Sequence, residues 1–229
     1  MSALARRSAA GVLAAVTALG ATWWGGHHDH DLDVTVVAIP SAEQPSVSDE
    51  AVKVERLRGR SSTVQSDAAA TSDCDGCDAT GVAVTVAYVD GSRGGRMDNV
   101  AHAWSSCTDC TSRTVSVQVV VMRRAGPVQA NNRAFAANVA CTGCTTTAVA
   151  YQLVVAGARG KVFDRHDIAD LTEWARAQVT DPVPEPMLRS AAPRTSDEDR
   201  LAELEEQATR ALGEVTTVRG DVDRSTAAP

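Results

Sequence analysis

The sequence repeats a Cys-x-x-Cys motif three times, as Cys74-Asp-Gly-Cys77, Cys107-Thr-Asp-Cys110 and Cys141-Thr-Gly-Cys144. The copies begin 33 and 34 residues apart, a spacing that is typical of repeated structural units. Apolar residues stand at the fifth, seventh and ninth positions after the second cysteine of every copy. This period of two predicts a β-strand with one apolar face after each motif. The eighth position is polar in every copy and is expected on the opposite face: Thr85, Gln118 and Gln152.

Alternating alanines precede the second and third motifs, at 99–105 and 132–138, and predict a strand before each of them. Each motif is then the two-residue loop of a β-hairpin, for which Asp75-Gly76 is a strong turn signal. Alanine also favours helices, so a short helix before each motif is the competing interpretation. The third copy has one more residue between its asparagine and its cysteine than the second, which reverses the inward face unless a bulge absorbs it.

The N-terminal half of the chain divides by composition into three parts. Residues 1–26 place two arginines before an apolar stretch, the order of a secretory signal, and they predict a signal peptide or an uncleaved signal anchor. Residues 27–72 are mostly polar and predict a flexible tether. Residues 73–158 contain the three-copy CxxC repeat and form the predicted β domain.

The C-terminal part predicts two helices. Apolar residues recur at helical spacing over 166–179, which indicates an amphipathic helix within 159–181, followed by a Pro-rich linker at 182–195. Ser196 and Asp199 resemble a capping box and predict a second amphipathic helix over 196–219, with a disordered tail at 220–229. The fold class expected from these elements is α+β: an antiparallel sheet of repeated CxxC-tipped β-hairpins followed by two C-terminal helices.

Three kinds of chemistry fit the cysteine pairs. Local disulfides Cys74–Cys77, Cys107–Cys110 and Cys141–Cys144 are favoured, because residues facing each other across a tight turn lie about 5.5 Å apart and exported chains meet oxidising surroundings. Zinc binding by hairpin-tip pairs is the second possibility, although three pairs do not divide into four-ligand sites. Thiol–disulfide exchange is the third, although its CxxC motif usually begins a helix and here a strand follows.

Few other residues point to chemistry. His27, His28 and His30 stand among aspartates and are weak candidates for Zn²⁺ or Cu²⁺ binding, with a plain polar patch as the simpler interpretation. The sequence contains no phosphate-binding glycine loop, GxSxG or HExxH motif, so neither enzymatic activity nor a cofactor is expected. A net charge of −7 without a basic cluster argues against nucleic-acid binding.

The alternating Asn-x-Ala-x-Ala pattern, the CxxC motif and the following strand resemble a group of uncharacterised exported or membrane-anchored actinobacterial proteins with repeated CxxC hairpins. The match is best over 132–155, weaker over 99–121, and covers less than half of the chain. The resemblance implies a location and a fold but no activity. We expect a secreted protein, or one anchored to the outer face of the cytoplasmic membrane through an uncleaved N-terminal segment.

The expected function is that of a non-enzymatic structural or protein-interaction module stabilised by local disulfides. Protein partners or self-association are expected, because alanine, serine and threonine on the strand faces let sheets approach closely. The alternative is an extracytoplasmic thiol–disulfide redox or metal-binding protein that acts through the CxxC pairs.

Overall fold

The computed structural model describes residues 30–58, 61–90, 94–124, 127–158, 160–180 and 196–228. The expected signal segment at 1–26 and the Pro-rich linker at 182–195 lie outside these residues. The strands are β1 (His30–Ala38), β2 (Ser46–Arg58), β3 (Ser61–Ser72), β4 (Asp78–Asp90), β5 (Gly94–Ser105), β6 (Thr111–Met122), β7 (Val128–Asn138), β8 (Thr145–Ala156) and β9 (Thr217–Ala227). The helices are α1 (Arg165–Thr180) and α2 (Asp197–Leu212).

The chain winds into a parallel β-solenoid of four coils. Strands β1, β3, β5 and β7 form one sheet, which we name the odd sheet, and β2, β4, β6 and β8 form the even sheet. Each strand pairs in parallel with its counterpart one coil away, as Ala101 does with Ala134. The last strand, β9, adds to β8 in the antiparallel direction and ends the even sheet.

The predicted antiparallel sheet of CxxC-tipped hairpins is therefore wrong. Strands β5 and β6 flank the second motif but lie in different sheets, so the motif is a corner between sheets and not a hairpin tip. A period of two and a two-residue turn fit both arrangements, because neither feature says which strand is the hydrogen-bonding partner. The long apolar run of β4, with nearly every residue from Gly81 to Val89 buried, is typical of parallel strands covered on both faces.

Strands β4, β6 and β8 of the even sheet are buried on both faces, whereas the sequence predicted half-buried strands. Val82, Val84 and Val86 lie on the outer face in one apolar cluster with residues of both helices. Gln118 and Gln152 lie on the opposite face, as expected, but that face points into the interior, where both side chains are at most 2% exposed. The Nε2 atom of Gln152 donates a 2.8 Å hydrogen bond to Oε1 of Gln118.

Two segments that were expected to lack structure are strands. Residues 27–72, the expected tether, supply β1, β2 and β3 from His30 onward, and 220–229, the expected tail, continue β9 as far as Ala227. Polar composition misled this prediction, because small polar side chains can fill the space between two close sheets. Ser66 in β3 is fully buried there and accepts a 3.1 Å hydrogen bond from the hydroxyl of Thr85.

Both helices form where the sequence places them, but the second is shorter than predicted. In α1, Leu171 and Ala175 are fully buried against the even sheet. The capping box of Ser196 and Asp199 begins α2 as expected. The helix ends at Leu212, because Gly213 caps it with a φ of 73°, so the predicted extent of 196–219 is wrong.

Ala140 absorbs the additional residue of the third repeat. Its φ of 51° lies in the left-handed region, and the chain bends there before the third motif. Ser105 and Asn138 remain register partners in the odd sheet, and Thr111 and Thr145 remain partners in the even sheet. The fourth coil therefore keeps the same inward face as the third.

Charged side chains close the first coil of the solenoid. Lys53 in β2 is the register partner of Thr85, whose side chain faces the interior. The charged side chains on this side of β2 therefore point toward the interior at the first edge of the even sheet. Lys53 lies 3.6 Å from Glu55, and Asp49 accepts a 3.0 Å hydrogen bond from the backbone of Val37 in β1. Inward-pointing charges on an edge strand disfavour the addition of a further strand.

Strand β9 closes the last coil. Its backbone pairs with β8, and its side chains reach across to β7 in the other sheet. Asp223 Oδ2 accepts a 2.8 Å hydrogen bond from the backbone N–H of Ala134, and Ser225 Oγ accepts one of 3.0 Å from Ala136. One strand therefore caps the ends of both sheets.

Candidate functional site

The three CxxC motifs stack along one corner of the solenoid. They connect β3 to β4, β5 to β6 and β7 to β8. Backbone hydrogen bonds join each corner to the next, from Gly76 N to Thr108 O and from Asp109 N to Thr142 O, both at 2.8 Å. We name this stack the cysteine ladder and each pair of cysteines a rung.

The geometry of each rung supports the predicted disulfides. The Cα–Cα distances are 5.4 Å in Cys74–Cys77, 6.0 Å in Cys107–Cys110 and 5.9 Å in Cys141–Cys144. All three lie in the range that a disulfide spans, and the protein has no free cysteine in this state. Because each rung closes a loop of only four residues, it constrains a corner more than it links distant parts of the chain.

The third residue of every motif adopts a left-handed backbone conformation. Gly76, Asp109 and Gly143 have φ values of 69°, 53° and 71°. The corners also pack tightly on one another, since a Cβ atom added to Gly143 would overlap Oδ1 of Asp109. The turn residues that predicted a hairpin loop therefore form a corner between the two sheets.

The rungs differ in their exposure to solvent. In the middle rung, Cys107 and Cys110 are 7% and 1% exposed. In the outer rungs, Cys77 and Cys144 are each 1% exposed, whereas their partners Cys74 and Cys141 are half-buried. A reagent in solution therefore has better access to the outer rungs, through Cys74 and Cys141, than to the middle rung.

Backbone carbonyl oxygens face the buried sulfurs. Cys107 Sγ lies 3.1 Å from Ser72 O, Cys144 Sγ lies 3.0 Å from Cys107 O, and Cys110 Sγ lies 3.5 Å from Cys74 O. A carbonyl oxygen at this distance repels a thiolate and favours the neutral or disulfide form. The surroundings are thus opposite to those of an activated redox cysteine, which lies at a helix N-terminus or beside a cation.

Two neighbouring rungs come close to each other. The Sγ atoms of Cys107, Cys110 and Cys144 all lie within 4.8 Å of one another. The cysteine pairs are separate in the sequence, so this cluster was not predicted; the regular spacing of the repeats is the feature that stacks the pairs. In the disulfide form these sulfurs carry no thiolate that could bind a metal ion.

The histidines of the weak metal candidate do not form a described cluster. His30 is the first residue of β1, and His27 and His28 lie outside the described residues.

Beneath the cysteine ladder, buried hydroxyl groups bond to one another and continue the stacking of the corners. Thr146 donates to Ser105 at 2.7 Å in this chain of hydroxyls. These groups satisfy each other between the sheets and have a structural role.

The outer face of the odd sheet is uncovered in the described part of the chain. The even sheet has α1 and α2 against its outer face, but no described element covers the outer face of the odd sheet. Large apolar side chains are exposed toward one end of this surface, which we name the open face. They are Val37 (47% exposed), Ile39 (57%), Trp104 (37%), Phe135 (56%) and Val139 (43%).

Charged side chains occupy the rest of the open face. Asp67 Oδ1 lies 3.2 Å from His102 Nδ1, and this contact raises the pKa of His102 while burial opposes it. Burial alone raises the pKa of Asp98, but hydrogen bonds from Asn131 and Arg96, of 2.7 and 2.6 Å, outweigh burial and lower that pKa. The His102–Asp67 pair is a surface ion contact of a kind that contributes little to stability, whereas the Asp98 carboxyl is buried.

One small cavity lies near the junction of the even sheet and the segment before α1. Its volume is about 10 Å³, and Arg56, Tyr88, Asp90, Arg123 and Lys161 are among the residues that line it. A cavity of this size holds about one water molecule. It is too small to serve as a substrate site.

Comparison with protein-family models, with curated proteins and with solved structures found no match to this chain. Among the described residues, no helix combines the length and the apolar character needed to cross a membrane. In the described part of the chain, the cysteine ladder and the open face are therefore the two features that bear on function.

Proposed function

We propose that this protein is an exported or membrane-anchored, non-enzymatic structural module that self-associates through the open face. The observation that carries the proposal is the difference between the two sheets. Helices α1 and α2 bury the apolar outer face of β4, β6 and β8, whereas exposed apolar side chains such as Phe135 and Ile39 remain on the open face. Several large apolar side chains exposed on one face of a folded protein are typical of an interaction site.

The solenoid presents this surface in a regular order. Register partners on adjacent parallel strands place side chains in rows, and one row consists of Val37, Ala69, His102 and Phe135. The disulfide corners and the stacked turns fix the C-terminal ends of β3, β5 and β7, the strands that carry most of each row. Such a fixed surface loses little conformational entropy when it binds.

The ends of the solenoid favour the open face as the place of association. Asp49, Lys53 and Glu55 lie on the first edge strand, and β9 covers the last coil. Addition of another coil at either end would bury these charges or displace β9. Stacking of copies end to end is therefore disfavoured.

A second copy of this chain is the partner that the open face fits best. The face carries acidic residues such as Asp31 and Asp67 together with the basic residues Arg96 and Arg133. In a two-fold symmetric dimer the same patch meets itself, so a face with both signs of charge can pair its own acids with its own bases. The apolar end can then pack against its symmetry mate.

Light scattering coupled to size-exclusion chromatography tests this proposal with the intact chain. We expect a dimer whose population rises with protein concentration. Phe135→Asp should make the protein monomeric, because a carboxylate would be buried in the interface. The matched control is Val54→Asp, which introduces the same charge at an exposed valine of β2 in the even sheet. A monomer at every concentration, or equal effects of the two substitutions, would contradict self-association through the open face.

Intact-mass analysis of the protein recovered from its native host tests the location. We expect either loss of the N-terminal segment or its retention in a membrane fraction. Alkylation should add no label before reduction and six labels after it, one for each cysteine. Full-length protein in a cytoplasmic fraction with reactive thiols would contradict export.

A further inference from the structure

We propose that the cysteine ladder passes a disulfide bond between its second and third rungs, so that a thiol generated at Cys144 opens the buried pair Cys107–Cys110. This exchange activity is separate from the association proposed above. It assigns a chemical role to a cluster of sulfurs that neither the corners nor the open face requires.

The first support is the distance between the sulfurs. Sγ of Cys144 lies within 4.8 Å of Sγ of both Cys107 and Cys110. The backbones are in register there, since the N–H of Thr145 donates a 2.9 Å hydrogen bond to Cys110 O. Adjacent strands lie about 4.8 Å apart, and a disulfide joins Cα atoms about 4.4–6.8 Å apart, so a bond between rungs needs no backbone rearrangement.

The second support is the pattern of burial. Cys107 and Cys110 are 7% and 1% exposed, so a reductant in solution has little access to them. Cys141 is half-buried, and a dithiol reductant from solution can attack its sulfur and release Cys144 as the leaving thiolate. The second thiol of the reductant then displaces Cys141 as a thiolate, and the reductant leaves as a cyclic disulfide. The Cys144 thiolate is generated beside the buried rung. The third rung therefore provides the route by which the second rung is reduced.

The exchange is balanced in atoms and electrons. With the third rung reduced, the Cys144 thiolate attacks Cys110 Sγ, a Cys144–Cys110 bond forms, and Cys107 leaves as a thiolate that takes up the proton lost from Cys144. The Cys141 thiolate then attacks Cys144 Sγ, the Cys141–Cys144 bond forms again, and Cys110 leaves with the second proton. Two electrons and two protons move from the third rung to the second without an external oxidant.

The carbonyl contacts set the rate of this exchange. Ser72 O and Cys107 O lie 3.1 and 3.0 Å from the sulfurs of Cys107 and Cys144, so thiolates are disfavoured and the ladder rests in its disulfide form. Exchange still proceeds through the small fraction of thiolate. We therefore expect its rate to rise with pH.

Single cysteine substitutions test the exchange in the full-length protein. Cys141→Ser leaves Cys144 as a free thiol inside the sulfur cluster, and it should equilibrate with the second rung without any added reductant. Trypsin places each rung on its own peptide, at 61–93, 97–113 and 134–159. An inter-rung disulfide is therefore seen as a linked mass of peptides 97–113 and 134–159 after thiols are blocked with N-ethylmaleimide.

We expect this linked peptide in at least about a tenth of the Cys141→Ser molecules after equilibration near pH 8.5. The matched control is Cys144→Ser, which leaves the free thiol at Cys141, outside the cluster, and should give no linked peptide. Absence of the link in Cys141→Ser, or equal linking in both variants, would overturn the proposal.

The wild-type protein provides a second measurement that does not depend on the folding of a variant. Limited dithiothreitol followed by rapid blocking should label the second rung and trap the same linked peptide. Removal of the third rung by Cys141→Ser with Cys144→Ser should slow labelling of Cys107 and Cys110 by at least about tenfold, because access from solvent is poor. Equal labelling rates of Cys107 and Cys110 with and without the third rung, or no linked peptide in the wild type, would contradict the exchange.

Discussion

The Nδ2 atom of Asn99 donates a 2.8 Å hydrogen bond to Oδ1 of Asn132, which is its register partner one coil further along the solenoid. Asn99 is fully buried, and Oδ1 of the same side chain accepts a 2.7 Å hydrogen bond from the hydroxyl of Ser116 in the opposite sheet. This asparagine therefore links consecutive coils and the two sheets. The repeat of asparagine at equivalent positions is a structural feature of the interior.

Replacement of Asn99 by alanine should destabilise the protein by about 1–3 kcal/mol, because the hydroxyl of Ser116 and the side chain of Asn132 each lose a partner in the interior. Urea unfolding monitored by circular dichroism measures this change. The control is Gln129→Ala, which removes an exposed amide from β7 and should have an effect of less than about 0.5 kcal/mol. Equal effects of the two substitutions would show that the asparagine pair does not hold the coils together.

The left-handed corner residues predict opposite effects of two reciprocal substitutions. Gly143→Ala should destabilise by about 1–2 kcal/mol or more, because alanine is strained at a φ of 71° and its Cβ overlaps the Asp109 side chain. Asp109→Gly should stabilise by about 0.5–1 kcal/mol, since it relieves the same strain in the second corner. Thermal unfolding of the single and double variants measures both changes in the free energy of unfolding. The overlap predicts that Asp109→Gly partly rescues Gly143→Ala, and strictly additive effects would contradict it.

Removal of the side-chain cap at the last coil should loosen the odd sheet. Asp223→Ala deletes the acceptor of the Ala134 N–H and should cost about 1–2 kcal/mol. Amide hydrogen exchange should accelerate at Ala134 more than at residues of the first coil. Asp221→Ala is the control, because the contact that Asp221 makes with Asn132 uses its backbone carbonyl and its side chain is exposed. An unchanged exchange rate at Ala134 in Asp223→Ala would rule out this capping role.

The pair of His102 and Asp67 predicts a pH dependence of stability. The pKa of His102 is raised in the folded protein above its ordinary value of 6.5, so the unfolded chain holds this proton less tightly. The stabilisation of the folded protein by the His102–Asp67 contact is fully present below pH 6.5 and is lost as the pH rises through the raised pKa of His102 in the folded protein. The difference in melting temperature between wild type and His102→Gln should therefore be larger near pH 5.5 than near pH 8.5. A difference that stays constant, or that grows with pH, would contradict this pairing.

The local features of this protein are readable from its sequence. The strands after the CxxC motifs follow from alternating apolar residues, α1 follows from its helical period, and the start of α2 follows from the Ser196 capping box. The CxxC pairs at disulfide distance follow from turn geometry. Each of these features depends on residues that lie within a few positions of each other.

The partner of each strand could not be predicted from the sequence. A strand of the odd sheet finds its partner about 33 residues away, as Asn99 finds Asn132, and the choice depends on burial of both faces of the even sheet. The first coil lacks a CxxC motif, and the second contains small polar residues, such as Ser66, that resemble a tether in the sequence but are buried by the facing sheet. The close approach of three sulfurs and the uncovered odd sheet both follow from this stacking, so they could not be predicted either.

Backbone nuclear Overhauser effects in isotope-labelled protein test the parallel solenoid most directly. The account predicts contacts of the parallel type between β5 and β7, with Ala101 opposite Ala134 and Ala103 opposite Ala136. Contacts of the antiparallel type between β5 and β6, across the turn at 107–110, would contradict it and restore the hairpin.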